Sequence, residues 1–118
     1  MELYPQILVT ILIFLGESFA IYAEMTAART YSLGTQPFLE AFLKMFIVFV
    51  FGGMFLIAGY MMGFSSFKNI WIVSVISITS ILISEPTLAY IIFHQLPTKG
   101  AAIGLIFGIL GFISTMLL

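Results

Sequence analysis

MFIVFVFGGMFLIAGYMMGFSSF, residues Met45–Phe67, runs for 23 positions without one charged side chain. As a helix rising 1.5 Å per residue it reaches about 35 Å, enough to cross a hydrocarbon core of about 30 Å. The chain around it has the same character. Gly100–Leu118 is a second uncharged run, of 19 residues. Between Asn69 and Phe93 only Glu85 is charged, and between Leu3 and Ala23 only Glu17. Of the 118 residues 62% are hydrophobic and 8% charged, a balance that suits lipid and leaves too little polar surface for a soluble domain.

This pattern predicts an all-α integral membrane protein with four transmembrane helices, at about Pro5–Thr30, Pro37–Gly63, Asn69–His94 and Thr98–Leu118. Helices are expected because lipid offers no partner for an exposed backbone group. The alternation that marks a β-barrel strand is absent. The connections, about Tyr31–Gln36, Phe64–Lys68 and Gln95–Pro97, are short and call for an antiparallel bundle. Residues 1–118 then form a single four-helix domain. A net charge of −1 without a basic stripe gives no footing for nucleic acid. The absence of cysteine excludes disulfides, thiol catalysis and thiolate metal sites. No cofactor, metal or catalytic constellation is expected, so an enzyme is the least favoured class.

Glu2 and the interruption at Glu17 speak against a cleaved signal peptide. Arg29, Lys44 and Lys99 lie near the first and third connections, and Lys68 lies in the second. That bias favours cytoplasmic first and third connections with both termini outside, and it is small enough to allow insertion both ways. The expected location is a prokaryotic inner membrane.

Glu17 and Glu24 stand seven residues apart, two turns along one face and about 10 Å along the axis. Glu17 falls near the bilayer midplane, where a carboxylate is either protonated or paired with a cation. Its functional reading is a proton or cation site facing a cavity. The structural alternative is a neutral side chain hydrogen-bonded to a neighbouring helix. Glu24, close to Arg29, serves equally as an interfacial, ion-paired or binding group. Glu85 is the other candidate for coupling or substrate contact.

In the second helix Pro37 marks the start, Glu40 and Lys44 form an i,i+4 pair, and Gly52, Gly59 and Gly63 share a face that should pack on another helix. The third helix carries the hydroxyl stripe Ser74, Ser77, Ser80 and Ser84. Ser77, Ser80 and Ser84, with Trp71, are candidates to line a polar pathway. Their plainer roles are interhelical hydrogen bonds for the serines and interfacial anchoring for Trp71. Pro86, directly after Glu85, is expected to kink this helix. His94 in the third connection reads as a solvated side chain, with a proton relay as the minor alternative. The fourth helix presents Gly100, Gly104, Gly108 and Gly111 as a ridge for close packing, either on a second copy of the chain or on the glycine face of the second helix.

The segment Glu85–Phe112, EPTLAYIIFHQLPTKGAAIGLIFGILGF, resembles the end of a repeat of the drug/metabolite transporter superfamily. A proline-containing helix meets a short polar turn, and a last helix opens on small residues with an Ile-Gly pair and a later Gly. The four-helix length resembles the small multidrug resistance branch and other single-repeat members. The resemblance implies that Glu17 corresponds to the coupling carboxylate and that a lone repeat works as a dimer. It also implies a small-molecule substrate.

The expected function is therefore a small secondary transporter, proton- or ion-coupled, using alternating access as a homodimer or beside an unlike subunit. The alternatives are a non-transporting membrane subunit and a half-flippase for a lipid-linked head group.

Overall fold

The structure, a computed structural model, describes residues 3–118. Four helices follow in order: α1 Leu3–Ser32, α2 Phe38–Phe67, α3 Ile70–Phe93 and α4 Lys99–Leu117. Three are long and apolar enough to cross a membrane, over Tyr4–Ser32, Phe38–Phe67 and Ile70–Phe93. The apolar stretch of α4, Lys99–Thr115, is shorter, so the segment expected as a fourth span is the least extensive.

The largest departure from the expected boundaries is at the end of α2. The helix passes Gly63 and continues a further turn to Phe67. Gly63 serves packing instead of termination: a Cβ there would stand 3.0 Å from Val73 Cγ2 and 3.1 Å from Val9 Cγ1. Termination falls to Lys68, which turns left-handed at φ 60° while its N–H bonds the Phe64 carbonyl. Asn69 then caps α3 by accepting from the Trp71 N–H at 2.9 Å. His94 ends α3 in the same left-handed manner, and Thr98 caps α4 by accepting from the Ala101 N–H. Helix α3 runs on through Pro86, whose ring nitrogen has no hydrogen for the Leu82 carbonyl.

Helix α1 is the hub. It packs against both α2 and α3, and it carries Val9, Ile13, Ala20, Ile21 and Ala23, five of the seven buried hydrophobic side chains among the described residues. The glycine face of α2 makes this possible. A Cβ on Gly52 would stand 2.9 Å from the Gly16 carbonyl oxygen, and one on Gly59 would stand 2.7 Å from Ile13 Cγ1. Gly16 is as constrained, with Leu56 Cγ at 2.7 Å. Two backbones approach here because neither brings a side chain. Val9, Ile13 and Val73 are fully buried beside this crossing, with Leu56, Tyr60, Phe67 and Ile76 packed around them.

Among the described residues α4 touches α3 alone, so the idea that its glycine ridge packs on the glycine face of α2 is overturned. That face is already filled by α1. Gly100, Gly104 and Gly111 look onto open space, while a Cβ on Gly108 would stand 3.1 Å from Leu82 Cδ2. The shape reflects this outlying helix: the radius of gyration is 16.0 Å, against about 13 Å for a compact chain of this length. Phe46, Ile47, Met54, Ile57 and Met61 stand outward along α2, an apolar surface suited to lipid.

Adjacent glycines test the crossing. Gly52→Ala forces backbone against backbone and is expected to lower stability by about 1–3 kcal/mol. Gly53, with nothing within 4 Å of its would-be Cβ, should accept alanine at no cost. Unfolding equilibria in bicelles check this, and equal behaviour of the two variants would contradict the close approach.

Candidate functional site

Glu17 is the fifteenth of the thirty residues of α1. Its side chain is half-buried and faces α3. Ser77 Oγ donates a hydrogen bond to Glu17 Oε1 at 3.0 Å. One residue on, Ser18 Oγ and Ser84 Oγ are 2.8 Å apart. Two polar links therefore join α1 to α3 inside an apolar protein. Ser77, Ser80 and Ser84 are all buried. The hydroxyl stripe lies in the helix contact, and Ser80 turns its hydroxyl back to the Ile76 carbonyl at 2.8 Å. The interhelical role thus describes Ser77 and Ser84, and the back-bonded role describes Ser80. Trp71 stands away from them, 75% exposed in the first turn of α3, as an interfacial anchor would.

The other acidic candidates are Glu24 and Glu85. They lie in separate cavities. Glu24 edges a groove of about 320 Å³ between α1 and α2, walled by Ala27, Phe42, Met45 and Phe46. Glu85 lines a cavity of about 700 Å³ between α3 and α4. Glu24 is not paired with Arg29. Among the described residues the one ion pair is Lys44 Nζ with Glu40 Oε1 at 3.4 Å, the expected i,i+4 pair. Both partners are exposed, so it contributes a few tenths of a kcal/mol. Of the three acidic candidates only Glu17 bonds across the α1–α3 seam, and no three His, Cys, Asp or Glu among the described residues are grouped to hold a metal ion. The Tyr90 ring meets the His94 ring edge-on at 6.3 Å, which gives that histidine a packing contact at the end of α3.

Reading the chain alone missed Gly16 and Ser18, the residues on either side of Glu17. The signal was present: Gly16 and Ala20 have the four-residue spacing of small residues at a helix contact. Comparison with protein-family models, curated proteins and solved structures finds no match to this chain.

The Ser18–Ser84 link is measurable by a double-mutant cycle. Ser18→Ala and Ser84→Ala should couple by about 0.6 kcal/mol, and by no more than about 2, the range for hydrogen bonds between membrane helices. Ser80→Ala should couple with neither, since its hydroxyl serves its own helix. Unfolding in bicelles gives both values, and coupling to Ser80 in place of Ser84 would contradict the pairing.

Proposed function

We propose that this chain is a small secondary transporter of the drug/metabolite type, crossing the membrane four times with alternating helix directions and working as a dimer. One observation carries the reading: a carboxylate at the middle of the central helix, held between α1 and α3 by a hydroxyl and paired with no cation among the described residues. Such a group at membrane depth is costly, and transporters use it as the point where a proton or ion is exchanged for substrate. Glu17 is that group. Ser77 orients it, and Glu24 and Glu85 set the charge of the path on either side.

The dimer follows from α4. A single chain of this size has no second wall to enclose a gated route, and two copies supply eight helices for alternating access. The open glycines of α4 suit a close contact with the same helix of a second copy. A second reading, a non-transporting subunit seated on an unlike partner, draws on the same open ridge. Co-purification of the tagged chain from native membranes separates the two.

Uptake into proteoliposomes driven by a pH gradient tests the coupling. Glu17→Gln should abolish the pH-driven component with folding and dimer content unchanged, while Glu24→Gln and Glu85→Gln should still respond to the gradient. Full activity of Glu17→Gln beside a loss in Glu85→Gln would move the coupling group to α3.

The interface has its own test. Gly104→Leu should lower the dimer fraction in bilayers, because it adds bulk where the structure leaves open space. Gly108→Leu should also disturb α3 through Leu82. A dimer that survives both changes does not use this ridge.

A further inference from the structure

The cavity of about 700 Å³ between α3 and α4 has apolar walls from three helices, given by Met25, Ala89, Phe93 and Leu105. Gln95 and Thr98 line it from the connection, where a span meets water. Its flank is open to the bilayer, since among the described residues α4 touches α3 alone. Two cations stand at the mouth. Lys99 follows Thr98 directly as the first residue of α4. Arg29 follows Met25 by four residues, one turn on along the same face of α1 and about 6 Å nearer the connection. Neither is ion-paired among the described residues, where Lys44 with Glu40 is the one pair. Glu85 is the single acidic residue of the lining. It is exposed, and it lies eight residues before Phe93, about 12 Å deeper along α3.

From this arrangement we infer that the cavity seats one acyl chain of an anionic phospholipid, whose phosphate rests at the mouth against Arg29 and Lys99. Charge complementarity selects the head group: two unpaired cations at the level of the lipid phosphates favour a negative lipid over a zwitterionic one. The walls select the chain, because apolar side chains offer it the surroundings it has in the bilayer. The open flank lets that chain enter sideways while the second chain stays in the bilayer. A soluble anion gains little here, since exposed cations hold it weakly and the apolar walls give it nothing. Glu85 does not oppose the lipid. Its carboxylate lies below the mouth, where only uncharged methylenes pass. The bound lipid fills the gap beside a helix that has one neighbour in its own chain, and so steadies α4 on α3. This inference rests on the membrane setting and is independent of the transporter reading, and its test involves no transport.

The test is paramagnetic broadening of amide signals of the full chain in phosphatidylcholine nanodiscs. A trace of phosphatidylglycerol or of phosphatidylcholine is added, each with the same nitroxide on one acyl chain. At Ala89, Phe93 and Leu105 phosphatidylglycerol should broaden more strongly, with an apparent affinity at least about fivefold higher, the effect of one cation near the membrane surface. At Ile57 and Met61, on the outward face of α2, the two lipids should act alike. Unlabelled phosphatidylglycerol should compete, and added salt should weaken the preference. Arg29→Gln with Lys99→Gln should remove it, and Arg29→Lys should keep most of it. Ala101→Leu, which adds bulk to the cavity wall, should reduce broadening by both lipids there and leave α2 unaffected. Equal broadening by the two lipids at the cavity, or a preference that survives loss of both cations, would overturn the site. Cavity signals that respond to the number of chains per disc and ignore lipid charge would assign the space to a second copy, and would also overturn it.

Discussion

Everything in this protein hangs on how closely α1 and α2 approach. At Gly16 and Gly52 the two backbones come so near that a single methyl group on either would collide with the other's carbonyl or side chains. That contact spends the glycine face of α2 on α1. It leaves another face of α1 for α3, on which Glu17 and Ser18 meet the buried serines. Polar contacts between membrane helices are individually modest. The apolar crossing holds α1 in register, and the hydrogen bonds read out that register.

The same constraint explains why α4 stands apart. With the glycine face of α2 filled and one side of α3 taken up by α1, only the remaining side of α3 is free for the last helix. Leu82 against Gly108 is where it attaches. A helix held on one side leaves a cavity on its flank and a ridge of small residues in the open. Each of these is a surface on which a ligand or a second copy can act.

Much of the architecture was legible in the chain. Runs such as Met45–Phe67 reveal spans because the cost of placing charge in lipid is a property of local composition. The caps at Asn69 and Thr98 follow from side chains that bond the adjacent backbone. Glu17 and Glu85 stand out because nothing near them in sequence neutralises them. The end of α2 was misjudged for a tertiary reason. Gly63 has the look of a helix terminator, and only its contact with Val9 and Val73 shows that its missing side chain serves packing.

The division is physical. Hydropathy, capping and the spacing of small residues act over a few neighbours, and they suffice for four helices, a membrane setting and a short set of candidate residues. Which glycine face meets which helix depends on surfaces brought together from distant segments, as do the Ser77 donor to Glu17, the separation of Glu24 and Glu85 into different cavities, and the freedom of Gly100, Gly104 and Gly111. Gly52–Gly63 and Gly100–Gly111 look alike as sequence. One is buried because Gly16 and Ile13 fit it, and the other stays open at Gly100, Gly104 and Gly111, with Leu82 near Gly108 alone among the described residues.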